Sequence, residues 1–303
     1  MSLLPYKIKL SVKKWKFAVA LAGLLCYSGF SQLPETDIWL FKIEKPGKPE
    51  AKYIVTYSLN INNRPGYDNQ PAFTPDGKSL LYVSIKEDKQ ADIYRYDIKS
   101  KLHTNITKSK VSEYSPAILP DGSGFSCVVV EEDSAQRVWM IGFDGSFIKF
   151  ANDVTDSVGY YSWLNADTML YYKLTNPHSL RVLNLKSGKD VWICDNPSRA
   201  FRLIPATSHF IYAIKNDSVL EFRIYNPALK ESKVYTTYIS GNEDFIWHAE
   251  LGLIKAENSD LLNYNEKTKK WEVLFSFGNL GIKKITRFTF DPKTKQLAVV
   301  SNL

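Results

Sequence analysis

Four histidines, three cysteines and two short acidic clusters are the residues of this sequence whose types could do chemistry. His103, His178, His209 and His248 lie far apart, without the short His/Cys spacing of a zinc site. His248 and Glu250 stand two residues apart. On a strand that puts an imidazole and a carboxylate on one face, as general acid–base chemistry would require. A solvated strand-edge pair is the preferred reading. Glu131-Glu132-Asp133 and Glu243-Asp244 would attract a cation, but neither has the spacing of a calcium loop. Both read as solvated loops. The sequence holds no G-x-S-x-G elbow, no phosphate-binding glycine loop and no HExxH. We assign no catalytic, cofactor-binding or metal-ligating residue and expect no cofactor. An enzyme is the less favoured class.

Cys127 and Cys194 each sit in an apolar run, FSCVVV and DVWIC. They read as buried free thiols, with a single bridge left open. The third cysteine, Cys26, belongs to a different segment. Lys7, Lys9, Lys13, Lys14 and Lys16 precede the apolar stretch FAVALAGLLCYSGF at 17–30. That stretch is shorter than the roughly 20 residues of a spanning helix. Residues 1–31 therefore read as a signal peptide, with small residues Gly29 and Ser31 before a cut at Gln32. Lipidation at Cys26 is disfavoured, because Leu25 precedes it. The protein is expected to be exported to the periplasm or the extracellular space. No transmembrane span is expected after cleavage.

The net charge of the 303 residues is +7, but those five lysines carry most of the excess. Beyond residue 31, 34 basic residues face 32 acidic ones. This near balance gives no reason to expect nucleic acid or lipid as a partner. With 44% hydrophobic and 23% charged residues the chain is also not a disordered one.

The elements that would position any site come from an internal repeat. QPAFTPDGKSLLYVS at 70–84 returns 45 residues later as SPAILPDGSGFSCVV at 115–129. Each places Pro-Asp-Gly between two apolar runs, which reads as strand, tight turn, strand. Weaker copies follow. Phe73, Ile118, Trp163, Ile204, Trp247 and Phe288 mark openings spaced by 45, 45, 41, 43 and 41 residues. After each opening but the last comes a strand ending in Asp or Asn, then a polar turn and a fourth alternating strand. Outside 1–31 no sustained helical period occurs. Four short strands per 40–45 residues is the pattern of a propeller blade.

The two ends complement each other. Asp37–Phe41 and Lys52–Tyr57 match the third and fourth strands of a blade, whereas the chain after Ile285 has room for a first and second. The fold class expected is all-β: a six-bladed β-propeller of four-stranded antiparallel blades, one blade closed by N- and C-terminal strands. Residues 32–303 form this single domain. Trp39 should then lie beside the strand at 297–301.

The units PAFTPDGKSLLYVS…DIYRYD and PAILPDGSGFSCVVV…RVWMIGFDG resemble the repeat of TolB-like β-propellers. The resemblance extends over nearly all of 32–303 and implies a six-bladed exported ring. It does not imply the N-terminal α/β domain of TolB itself, for which no counterpart is expected. Propeller enzymes gather scattered residues at the axis, so the histidines are not dismissed by distance alone.

Of the six tryptophans beyond the signal, Trp39, Trp139, Trp163 and Trp247 fall at recurring strand positions and read as packing residues. Trp271, among Lys267, Lys269 and Lys270, is expected to be the exposed one. Two loops, Asn60–Gln70 and Ser240–Phe245, are the longest. Arg64 and Tyr67 in the first, with Trp271, are the candidate partner-binding residues. The function expected is a noncatalytic scaffold that binds an envelope or extracellular protein or peptide, as a monomer. A propeller lyase or hydrolase acting on glycan or peptide, or a carbohydrate-binding module, is the alternative.

Overall fold

The computed structural model describes residues 33–45, 47, 53–151, 154–239 and 241–302. The expected signal peptide, its cut at Gln32, Cys26 and the Lys52 edge of the second strand lie outside these residues. Among the described residues no helix is long and apolar enough to cross a membrane.

The described residues are all-β. Four sheets are antiparallel meanders of four strands each. The first comprises β7 (Ser112–Ile118), β8 (Gly124–Val130), β9 (Gln136–Gly142) and β10 (Phe147–Phe150). The second comprises β11 (Val158–Asn165), β12 (Thr168–Lys173), β13 (Ser179–Asn184) and β14 (Asp190–Asp195). The third comprises β15 (Pro197–Leu203), β16 (Phe210–Asn216), β17 (Val219–Asn226) and β18 (Glu231–Ile239). The fourth comprises β19 (Phe245–His248), β20 (Gly252–Glu257), β21 (Asp260–Asn265) and β22 (Lys270–Ser276).

The remaining sheet has eight strands. β3 (Tyr67–Phe73), β4 (Ser79–Ile85), β5 (Ala91–Asp97) and β6 (His103–Asn105) form a meander like the others. Its other part joins the two ends of the chain: β23 (Ile285–Phe290) and β24 (Gln296–Asn302) with β1 (Thr36–Glu44) and β2 (Ile54–Asn60). The two parts meet through one parallel pair, Thr36 with Tyr67. Along β1 and β24 the register runs from Thr36 opposite Asn302 to Lys42 opposite Gln296, with Trp39 opposite Val299. The expected meeting of Trp39 with the 297–301 strand is what the chain does.

The second strand of each meander is buried on both faces, which its sequence shows as a continuous apolar run rather than alternation. Leu80–Val83 and Phe125–Val129 are almost wholly excluded from solvent, as are Leu297–Val300. The outer strand is the opposite case: all four residues of β10 are exposed. Between the meanders lie apolar clusters that follow one another in order. One joins Ile38, Leu40 and Val300 to Phe73, Leu80 and Tyr82. The next joins Leu81 and Ile93 to Phe125 and Ile141. Two more carry the contact from β8 and β9 to β12, and from β12 to β16. A fifth joins Ile211 and Phe222 to Leu253. The last joins Ile254 and Leu261 to Phe41, Phe288 and Val299, which returns the series to the terminal strands.

The Pro-Asp-Gly turns are structural. Gly77 has φ +69° and Gly122 +71°, a region open to glycine. The Asp76 carboxylate accepts from Thr74 Oγ1 at 2.7 Å and from the Lys78 amide at 3.0 Å. These bonds hold its pKa below the usual range, the Lys78 amide contributing most.

Candidate functional site

The first strands of the meanders, β3, β7, β11, β15, β19 and β23, surround a cavity of about 430 Å³ to which all of them contribute side chains. In five of them, β3, β7, β11, β15 and β23, the register against the second strand shifts. The register shifts between Asn69 and Ala72 in β3, and between Tyr114 and Ala117 in β7. Gln70 and Ser115 take left-handed φ values of 56° and 55° at these points, conformations that cost energy for non-glycine residues. The Ser115 amide donates to Gln70 Oε1 at 2.6 Å, tying the bulges of successive repeats together.

The opposite wall carries charge. Arg199 and Arg202 come from β15 and Arg287 from β23, and Asp244 precedes β19. Asp244 is 2% exposed. Its Oδ2 accepts the Phe288 amide at 2.9 Å, and its own amide donates to Asn242 Oδ1 at 3.0 Å. Asn242 Nδ2 in turn donates to the Ile285 carbonyl at 2.7 Å. The short loop before β19 is thereby pinned to β23. Burial raises the Asp244 carboxyl above its ordinary pKa, opposed by Arg287, Arg202, Arg199 and the Phe288 amide. Burial also depresses the Arg202 guanidinium, with Asp244 opposing and Arg287 adding.

The three arginines are positioned rather than neutralised. Arg202 Nη1 donates to the Phe201 carbonyl at 2.8 Å. The Arg287 guanidinium lies 5.5 Å from the centre of the Tyr160 ring, a cation–π distance. Arg199 Nε is buried without a hydrogen-bond partner. Among the described residues no carboxylate lies within ion-pair distance of any of the three. Such a site can hold an anion.

The residues singled out in the sequence fare differently. Tyr67 opens β3 and is partly buried, and burial raises its hydroxyl pKa. The arginines at 287 and 199 oppose that shift, which puts Tyr67 within the field of the axial cluster. Arg64 turns inward instead. Its Nη2 meets Asp68 Oδ1 and Ser84 Oγ, each at 2.7 Å, and its Nη1 the Pro65 carbonyl at 2.8 Å. Trp271 is not the exposed tryptophan. It packs on Phe222, Tyr238 and Tyr264, and its indole N–H donates to the Thr237 carbonyl at 3.3 Å. Trp192, on the outer strand β14, is 53% exposed. The reason is position in the meander: Trp271 points into the cleft between two sheets, whereas Trp192 points away from its own.

Two further expectations change. Asp244 was expected in a solvated loop, but it is buried among arginines. His248 and Glu250 do not share a strand face, because β19 ends at His248. His248 locks the following turn: its Nδ1 accepts the amides of Glu250 and Leu251, and Nε2 bonds Thr294 Oγ1 at 2.9 Å. The loop expected at 60–70 is shorter, since Tyr67–Gln70 belong to β3. Cys127 and Cys194 are free and buried. Among the described residues no group of three or more His, Cys, Asp or Glu could hold a metal ion.

The axial arginines escaped sequence reading. Arg199 and Arg202 in PSRAFRL, and Arg287 in ITRFTF, occupy first strands whose other members are small, apolar or aromatic. That departure from the repeat was the available signal.

No protein-family model matches the sequence. An uncharacterized protein of Agrobacterium fabrum is 32% identical over 108 residues, 36% of this chain. The match spans about a third of that relative's length, 34%. Among solved structures, a TolB described as putative, from Agrobacterium tumefaciens, superposes with a TM-score of 0.66 at 13% identity. That superposition covers 89% of this chain and 99% of that one. TolB from Acinetobacter baumannii gives 0.55 at 12% identity, over 88% of this chain and 64% of its own. A gluconolactonase of Xanthomonas campestris gives 0.59 at 9% identity, over 87% and 95%. The described residues have the TolB-like β-propeller fold, which hosts both kinds of protein.

Proposed function

We propose that this chain is an exported, noncatalytic six-bladed propeller whose axial mouth binds a protein or peptide partner. In this reading the terminal strands β23, β24, β1 and β2 make one blade and β3–β6 the next. The order of the apolar clusters supports it, since each joins a meander to its neighbour and the last returns to the first. The residues at 1–31 support export. The observation that carries the binding reading is the axial cavity: every first strand contributes to it, and its charges are held in place without a reacting pair. A rigid ring with a preformed polar mouth loses little entropy on binding.

The experiment is affinity capture from an envelope extract with the tagged chain, in parallel with Thr289→Trp, which fills the cavity. One defined protein should be recovered by the parent and lost with the variant. Recovery of the same proteins by both would move the interface off the axis. The gluconolactonase likeness favours a second reading, an enzyme acting on a sugar derivative. Turnover of a lactone or oligosaccharide panel that Thr289→Trp abolishes, with no protein captured, would establish it.

A further inference from the structure

We infer that the axial cavity is an anion site that takes the carboxylates of an acidic peptide segment. This rests on the peptide-binding reading above and specifies the chemistry of the partner.

Charge comes first. The side chains lining the cavity include three arginines and one carboxylate, Asp244. That carboxylate already accepts the Phe288 amide and is buried at the wall. Among the lining side chains, an excess of two positive charges therefore faces one partly open cavity. Partly desolvated like charges repel, and an incoming anion relieves both the repulsion and the lost hydration. Walls of low dielectric focus that field along the axis.

Geometry selects the kind of anion. A guanidinium presents paired N–H donors that match the two oxygens of a carboxylate. Arg199 Nε, buried and unpartnered, is such a donor. Tyr160 and Tyr67 add hydroxyls beside the arginines. Between the charges the wall mixes polar residues, Gln70, Ser115, Ser162 and Thr289, with the apolar or aromatic Pro71, Trp163, Ile246 and Phe290. A peptide that alternates acidic with apolar side chains satisfies both surfaces. A polyuronate would leave Pro71, Trp163, Ile246 and Phe290 unmatched, and free phosphate would leave most of the volume empty. The cavity, at about 430 Å³, admits a few side chains rather than a folded domain.

The test is fluorescence anisotropy with the purified full chain and a labelled eight-residue peptide of alternating Glu and Leu. The alternating Gln and Leu peptide is the neutral control, and tetragalacturonate and inorganic phosphate are competitors. The acidic peptide should bind at least tenfold more tightly than the neutral one, and more weakly as salt rises. Arg202→Gln with Arg287→Gln should reduce binding at least tenfold, whereas Lys149→Gln on exposed β10 should leave it unchanged. Arg202→Lys with Arg287→Lys keeps the charge and tests the fork; it should lie between. Thermal melts separate loss of binding from loss of fold.

Equal binding of acidic and neutral peptides would overturn the charge assignment while leaving peptide binding intact. Tight binding of tetragalacturonate or phosphate without the acidic peptide would overturn the peptide assignment. If neither peptide binds but the capture partner still depends on the axis, only this inference fails. If capture fails as well, the underlying reading falls with it.

Discussion

Asp244 opposes the charge of the arginines at the axis. It is the one carboxylate that lines the cavity with the three arginines, and it accepts a backbone amide of the neighbouring strand β23. Asp244→Asn keeps an acceptor for that amide but removes the charge. It should destabilise the fold by at most about 1.5–3 kcal/mol, the range for a hydrogen bond to a charged group. The same change should tighten the acidic peptide, because the site becomes more positive. Urea unfolding and anisotropy on one preparation check both signs. Glu113 offers a pH test away from the axis. It is buried on β7 and accepts from the Thr107 and Ser109 hydroxyls. Burial raises its pKa from 4.5 to about 7, the two hydroxyls oppose the rise, and Asp92 adds to it. The folded state therefore holds a proton that the unfolded state releases between these values. Stability falls as pH rises through that window, and the full penalty, about 3 kcal/mol at most, is present above it. Glu113→Gln should gain about 1–3 kcal/mol over the parent at pH 8 and nothing near pH 4.5. A difference that does not change with pH would refute the assignment.

At the scale of elements, the turns and the buried second strands were legible because each has a local cause. Asp-Gly between apolar runs needs only backbone sterics, and a strand covered on both faces needs only apolar residues. Two glycines test how far local geometry governs the turns. A Cβ at Gly77 would come nearest to an Asp291 side-chain oxygen, at 3.3 Å, and would meet no backbone atom among its three nearest neighbours, so Gly77→Ala bears mainly the cost of φ +69°. That is about 1 kcal/mol. At Gly145, φ is +89° and a Cβ would stand 2.3 Å from the backbone oxygen of Ile106. Gly145→Ala should lose clearly more than Gly77→Ala, because a backbone atom of the neighbouring β5–β6 meander must give way. Urea midpoints at constant slope measure both. The face of Trp271 was less legible. A lysine-rich hairpin suggests exposure, but alternation along β22 sends the indole into the cleft beside Phe222.

For the whole molecule, the meeting of β1 and β24 is the contact of greatest consequence. Deleting 296–303 would remove Leu297, Ala298, Val299 and Val300, all fully buried. Three of these side chains are worth about 1.5–3 kcal/mol each on burial. Their sum rivals the about 5–15 kcal/mol that keeps a typical domain folded. The deletion would also open the edges of β1 and β23. The truncated chain should be unfolded or aggregated by circular dichroism and gel filtration. Recovery upon adding a synthetic 296–303 peptide would show that the strand acts by pairing. A truncated chain that melts like the parent would refute the proposed closure.

The sequence alone determined the class of structure, the four-strand repeat and the pairing of β1 with β24, because each follows from period, turn chemistry and the strand patterns of 37–57 and 285–301. It did not determine the axial cluster. Arg199, Arg202, Asp244 and Arg287 come from three repeats and share no motif. They share one cavity only because successive meanders place their first strands around it. Bulges at Gln70 and Ser115 shape its other wall through backbone angles that the side-chain types do not announce. Local chemistry writes the strands; only their arrangement in space decides which charges face one another across one cavity.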